Sequence, residues 1–399
     1  MRSAIRRRLI PYGIVILLAY VGFSMPLPIL PEMFLDSEHS LFFSFSLNMK
    51  MVLLGLIMAS FPLGQFFGSP LLGKLSDRYG RKKIILASLA GTTLGYLITA
   101  YFAHRSSFVG MFMGLTLCGF CEGNVTIAQS VIADLTEGKE KASYFGWINI
   151  FISIGFILGP LMGGQLADAS LVSWFDFSTP FWAAACLTLV GMGVIYFYSD
   201  ETLKEKPLVP VTSMWSCLKK RELKRFYFAN FFVALGYFSF FRFFPVFLER
   251  TFNFTPSQLS YIMVYNSLII GCGVFWLIPY LSRKMETNAA LSLFSFLFAL
   301  SCIISLLPAT PFALIFTLIP VGLCLAAVIT NGALLISDKT SLYEQGQALG
   351  TLTSVQVLAE VITGLVGGYL AATLLELPLY LGALMCLICA SILWPFKKG

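Results

Sequence analysis

Twelve apolar runs, each about 20 residues long, constrain this chain more than any other feature. They fall at 9–31, 49–72, 83–103, 108–132, 143–167, 178–198, 225–248, 257–281, 287–307, 311–336, 346–373 and 376–395. Only short polar loops separate them. Charged residues make up 12% of the chain, whereas a soluble domain carries about 25%. So much apolar surface cannot close over one aqueous core, and lipid is the solvent that accepts it. Lipid offers the backbone no hydrogen bonds, so each run is expected to be a helix. Barrel strands would be near 10 residues with alternating polarity, and these runs are longer and apolar all round. The expected fold is all-α, with 12 transmembrane helices. No large domain outside the membrane fits in the remainder.

The Lys and Arg residues orient these spans. All but four of the 27 fall on one side: the N-terminus, the 73–83 loop, Lys139 and Lys141, the 200–225 segment, Arg283 and Lys284, Lys339, and Lys397 and Lys398. The other side holds Lys50, Arg105 and Arg250, and Arg242 lies inside a span. The positive-inside rule then puts both termini in the cytoplasm. The basic start (Arg2, Arg6, Arg7, Arg8) reads as the flank of a first span, not as a cleavable leader. The net charge of +7 belongs to these loops, so nucleic acid is not an expected partner. A polar stretch with two prolines and the cluster Lys219–Lys220–Arg221 divides the runs into six and six. The expected organisation is a bundle over 1–199, a cytoplasmic linker over 200–224 and a second bundle over 225–399. The linker's basic character suits an anionic lipid surface.

The nine Cys lie almost all inside apolar runs. Cys118/Cys121 and Cys386/Cys389 have C-x-x-C spacing but lack the His or βαβ context of a metal or redox site. His39 and His104 fall in outer loops. No metal or cofactor is expected, and the protein is not expected to be an enzyme. Gly68-Ser-Pro-Leu-Leu-Gly-Lys74 has phosphate-loop spacing, but Leu75 stands where Ser or Thr is needed and a membrane helix precedes it.

After the second run comes Gly73-Lys-Leu-Ser-Asp-Arg-Tyr-Gly-Arg-Lys-Lys83. Gly73 and Gly80 permit tight turns at helix ends. Asp77 suits a helix N-terminus or an Arg partner. Arg78, Arg81, Lys82 and Lys83 hold the loop inside. The segment resembles, throughout, the loop between helices two and three of the major facilitator superfamily. The resemblance implies two pseudo-symmetric six-helix bundles with one site near the midplane. It also implies a cytoplasmic latch that contains Asp77 and Arg81, with Asp134 as the partner of Arg81.

The fifth run carries Gly155-Phe-Ile-Leu-Gly159-Pro160-Leu-Met-Gly163-Gly164. Small residues four apart let helix backbones approach, and Pro160 removes a hydrogen bond. This string resembles the helix-five motif of the 12-helix drug–proton antiporters, the tetracycline exporters among them, and so implies export. Pro28-Ile-Leu-Pro31 fits the same group. Two positions depart from it: Ala19 stands where many such antiporters carry an acid, and Gly119 stands where they carry an Arg. The group's usual acid–Arg proton site is absent.

Ionisable residues inside spans usually face a cavity. Glu122 lies in the fourth span, with Thr126 and Gln129 at i+4 and i+7. Arg242 lies in the seventh, with Ser239 one turn before it. Glu360 lies in the eleventh, with Gln356 and Thr353 one and two turns before it. A buried carboxyl is suited to carrying a proton, and Arg stays charged and pairs bidentately with carboxylates. Plainer roles are a hydrogen bond between helices for either Glu and a snorkelling side chain for Arg242. Sequence leaves their pairing open. Tyr237, Asn331, Asn149, Tyr265 and Asn266 are further polar groups within spans. The expected function is secondary transport of a small organic molecule by alternating access across a bacterial inner membrane, as proton-coupled export by a monomer. The alternatives are transport of an anionic metabolite such as a polycarboxylate siderophore, and a sensor or scaffold that moves nothing.

Overall fold

The computed structural model describes residues 2–35, 41, 42, 44–135, 138–203, 221–340 and 345–394. His39, linker residues 204–220, and Lys397 and Lys398 lie outside the described residues. So do the side chains of Arg2, Arg6, Arg7, Gln129, Lys139, Lys141, Asn149 and Arg221.

Fifteen α-helices account for the described chain: α1 Arg2–Ser24, α2 Leu30–Leu35, α3 Leu47–Tyr79, α4 Arg81–His104, α5 Phe108–Phe120, α6 Asn124–Leu135, α7 Gly138–Leu166, α8 Thr179–Tyr198, α9 Arg221–Phe252, α10 Pro256–Cys272, α11 Ile278–Leu281, α12 Thr287–Ile304, α13 Pro311–Asp338, α14 Gln345–Thr373 and α15 Leu377–Leu393. No strand occurs among the described residues. Among the described residues, nine stretches are long and apolar enough to cross a membrane, and Arg8–Ser24, Ile150–Leu166 and Leu377–Leu393 are shorter apolar helices. Together they account for all twelve apolar runs. Two runs contain irregularities invisible in hydropathy. The fourth is split into α5 and α6, and the eighth carries a π turn at Gly273–Leu277 between α10 and α11.

The chain forms two compact units. One comprises Met1–Phe45, Ser60–Val211 and Thr255–Val264, and the other Ser46–Ala59, Thr212–Phe254 and Tyr265–Gly399. In the first, α1 packs on α7 and α8, and α4 on α5 and α8. In the second, α9 packs on α14 and α15, and α12 on α13 and α15. Counted by span, the first helix of each half packs on the fifth and sixth, and the third on the fourth and sixth. This is the pseudo-symmetry of two related six-helix bundles.

Lipid tails are as apolar as Leu, so helix contacts in a membrane rest on close packing and interhelical hydrogen bonds. The first unit encloses Tyr12, Val15 and Ile16 of α1 with Ile85 and Leu89 of α4 and Ile127 and Val131 of α6. The second encloses Leu223 and Tyr227 of α9 with Ile336 of α13 and Leu352 of α14. In the first unit, Thr93 and Thr188 hydroxyls bridge α4 and α8 at 2.8 Å.

Candidate functional site

At the basic end of the first unit, α3 gives way to α4 at Gly80, whose φ is 106°. A Cβ there would overlap the Glu201 carboxylate. That approach lets Glu201 accept from the first two amides of α4, Arg81 N–H at 2.8 Å and Lys82 N–H at 3.2 Å. A carboxylate is favoured at a helix N-terminus by the helix dipole. The buried Arg81 guanidinium donates to Asp134 through Nε at 3.0 Å and to Ser76 Oγ at 2.8 Å. It also lies 2.5 Å from Asp77 Oδ1. Lys82 Nζ donates to the Tyr196 and Ser199 carbonyls at the end of α8, at 2.9 and 2.7 Å. Arg78 lies over the Tyr79 ring, and Gly73 meets nothing nearer than Thr126 Cγ2. Asp77, Arg81 and Asp134 are thus together. Glu201 is the member that sequence reasoning missed. Its only signal was an acid just after the sixth run, 120 residues from its partner.

The fourth span departs from the continuous helix expected of it. α5 stops at Phe120 and α6 starts at Asn124, with a turn through Cys121, Glu122 and Gly123. Two carbonyls released by the break find hydroxyls from different neighbours. Glu122 O accepts from Ser69 Oγ of α3 at 3.3 Å, and Cys121 O accepts from Ser88 Oγ of α4. Glycines permit this crowding. Gly64 and Gly68 of α3 abut the backbone of Thr116 and Phe120, and Gly119 abuts the Phe61 carbonyl. At Gly119, the position of the antiporters' Arg, no space exists for a side chain; the buried Ala19 stands at the position of their acid.

The break removes Glu122 from the helical face it was expected to share with Thr126. Glu122 is buried, while Thr126 is exposed. Its carboxyl has no hydrogen-bond or ion-pair partner among the described residues, and it lies close to Tyr96 and Cys118. Asn124, fully buried beside it, leaves Nδ2 without a partner.

In the second unit, Arg242 of α9 and Glu360 of α14 form an ion pair through Nη2 and Oε1, with both side chains buried. The two helices also meet where Gly367, two turns beyond Glu360, abuts the ring of Phe243. Gln356 is half-buried one turn before Glu360, and Thr353, a further turn away, is exposed. Tyr237 is buried on α9. Asn331 is buried on α13, where its Nδ2 donates to the Ala327 carbonyl at 2.8 Å. Tyr265 donates its hydroxyl to the Ile315 carbonyl, and buried Asn266 leaves Oδ1 without a partner. The three ionisable residues therefore divide: Arg242 and Glu360 pair within one unit, and Glu122 belongs to the other.

Small residues set two close helix crossings. Gly155 and Gly159 of α7 abut α1 at Tyr20 and Ser24, Gly163 abuts Met25 just past its end, and Ser24 Oγ donates to the Gly155 carbonyl at 3.2 Å. α7 continues through the buried Pro160, and Gly164 abuts Pro256 and Ser260. The second crossing escaped sequence reasoning. Gly55 and Ala59 of α3 meet Gly364 and Gly368 of α14 backbone to backbone. Its signal was a small-x-x-x-small spacing on both helices, too common to single out alone.

Two units with one pairing scheme, apolar helices throughout and ionisable groups buried inside spans define a polytopic helical membrane protein of the transporter class. The model of the Major Facilitator Superfamily matches residues 12–313 and 226–398. The chain belongs to that superfamily, whose members are transporters and not enzymes. It is 36% identical over 148 residues to the tetracycline resistance protein, class B, of Escherichia coli, covering 37% of this chain and 35% of that protein. It is 28% identical over 264 residues to multidrug resistance protein 2 of Bacillus subtilis (strain 168), covering 64% of this chain and 61% of that one. The chain thus aligns with less than two thirds of either relative. Among solved structures, a D-xylose–proton symporter superposes with a TM-score of 0.79 at 13% identity, over 98% of both chains. The human organic anion transporter MFSD10 (TETRAN) superposes with a TM-score of 0.72 at 20% identity, over 98% of this chain and 99% of that one. At such identities the likeness is one of fold.

Proposed function

We propose that this protein exports a small organic molecule across a bacterial cytoplasmic membrane by alternating access, driven by proton entry. The observation that carries the reading is Glu122: a buried carboxyl at a helix break, with no cation beside it among the described residues. Intramembrane carboxyls of this kind mark proton relays, and broken helices mark transport sites. Glu122 takes the part of the acid–Arg pair that this chain lacks at Ala19 and Gly119. Likeness to tetracycline and multidrug resistance proteins supports export of an amphipathic compound. The network of Asp77, Arg81, Asp134 and Glu201 serves as the inner latch on the α3–α4 loop. Both termini face the cytoplasm, and one chain suffices for transport.

The test is uptake into proteoliposomes that hold the protein, with an imposed pH gradient and tetracycline or ethidium as probes. Wild type is expected to accumulate a probe only with the gradient. Glu122→Gln, nearly isosteric, is expected to lose gradient-driven accumulation and keep downhill exchange. Gradient-driven accumulation by Glu122→Gln would remove Glu122 from the mechanism. No movement of any probe would refute export of such compounds.

A further inference from the structure

We infer that Tyr20, Phe23, Phe61 and Phe156 form the seat for a planar aromatic group of the cargo, held there by ring stacking. This assignment rests on the export reading and names the cargo's chemistry. Three observations carry it.

The first is the arrangement of the rings. Phe23 of α1 meets Tyr20 at 78°, Phe61 of α3 at 53° and Phe156 of α7 at 89°, and Tyr20 meets Phe156 at 53°. The centroids lie 4.8–6.4 Å apart. Each contact is tilted or edge-on, so none covers a ring face as a parallel stack does. Tyr20, Phe23 and Phe156 are only half-buried. α9 shows the opposite case, where Phe240 and Phe244 stack at 17° and both are buried. That pair is closed core packing, whereas the set on α1, α3 and α7 keeps ring faces for a flat guest.

The second is depth. Tyr20 lies at the middle of the run 9–31, and Phe61, Phe156 and Glu122 fall within two residues of the middle of theirs. Tyr side chains that face lipid collect at the two bilayer interfaces, where the hydroxyl finds water. A half-buried Tyr at mid-depth points to a surface that meets a guest and not acyl chains. The midplane is also the depth at which transporters of this kind hold their cargo.

The third is what the rings border. Ala19 and Gly119 stand at the positions of the antiporters' acid and Arg. Ala19 immediately precedes Tyr20, and Gly119 abuts the Phe61 carbonyl. The place of the charge pair is therefore apolar and lined by rings, with Glu122 three residues past Gly119. A wall of this kind holds a cargo by its faces and not by ion pairing. The negative face of a π system accepts a neutral aromatic ring or a cationic one. It has no equal grip on a saturated ring of the same size and charge.

Displacement of ethidium from the purified full chain in nanodiscs tests this with two matched pairs of competitors. Benzamide and cyclohexanecarboxamide are both neutral, and phenyltrimethylammonium and cyclohexyltrimethylammonium are both cations. In each pair the aromatic member is expected to displace ethidium with about two- to tenfold higher affinity. Phe23→Leu and Phe156→Leu keep an apolar side chain without the ring, and each is expected to abolish that preference. Phe23→Tyr, which keeps the ring, is expected to retain it, as is Phe244→Leu in the stacked pair of α9. Equal displacement within the neutral pair overturns the inference. So does a preference that survives in both Phe23→Leu and Phe156→Leu, a preference lost as readily in Phe244→Leu, or the absence of ethidium binding. Equal displacement with gradient-driven flux intact sinks only the aromatic seat. Selective displacement without any flux sinks only the export reading.

Discussion

Gly80 and Gly73 show how the same residue does different work in one loop. Gly80 has φ 106° and touches Glu201, whereas Gly73 has helical backbone and room for a methyl in ordinary contact with Thr126. Gly80→Ala is expected to cost about 1–3 kcal/mol in backbone strain and to displace the Glu201 cap. Gly73→Ala is expected to be neutral or slightly stabilising, because Ala is the better helix former by about 0.5–1 kcal/mol. Melting temperatures of the two variants in one detergent would separate them; equal losses would contradict this reading. The ion pair makes a second contrast. Glu360→Ala alone strands a buried guanidinium, which costs about 3–5 kcal/mol, whereas removal of both charges costs much less. Thermal stability of the single and double variants reads this directly. At this scale sequence named Arg81, Asp134, Arg242 and Glu360. The resemblance also named Asp134 as the partner of Arg81, whereas the pairing of Arg242 with Glu360 stayed open, since that contact joins helices distant along the chain.

At the scale of the element, the start of α8 depends on one carboxylate. Asp176 accepts from the Ser178 and Thr179 amides at 2.8 and 3.1 Å and from the Ser178 hydroxyl at 2.6 Å. His104 Nδ1 lies 3.3 Å from its other oxygen. Partial burial opposes ionisation, but these hydrogen bonds outweigh it and hold the Asp176 carboxyl below its ordinary range. A group lowered on folding stabilises the fold above its unfolded value, and that contribution fades as pH falls through the folded one. Wild type is therefore expected to lose protection of the first α8 amides on acidification below about pH 4, the ordinary Asp value. Asp176→Asn is expected to lack that pH step in hydrogen exchange. Helix crossings obey a similar economy of space. A methyl at Gly163 would overlap the Met25 carbonyl just past the end of α1, so Gly163→Ala is expected to destabilise by about 1–3 kcal/mol. Unchanged melting would show that α1 yields at this point. Hydropathy reported the fourth span as one helix, because Cys121, Glu122 and Gly123 hardly lower its average. Only the serines of two neighbouring helices reveal that the break is accommodated.

At the scale of the whole molecule, the positive-inside reading predicts which loops share a side. With native cysteines replaced, Lys82→Cys is expected to react with an impermeant maleimide only in inside-out vesicles. Ser170→Cys is expected to react only in right-side-out vesicles, and the reverse pattern would invert the topology. Composition alone required a membrane protein of about twelve helices, because lipid is the only solvent that accepts so much apolar surface and helices are its simplest satisfied backbone. The string from Gly73 to Lys83 tied those helices to a superfamily. Both properties are local and additive along the chain, so they can be read in order. Tertiary structure alone decided that Glu201 caps α4, that Glu122 sits at a break with no cation beside it among the described residues, and that Arg242 is held by Glu360. These depend on which helices touch and how closely. In lipid that is governed by glycine-sized notches and single hydrogen bonds between segments far apart in sequence, and neither leaves a mark on a hydropathy profile.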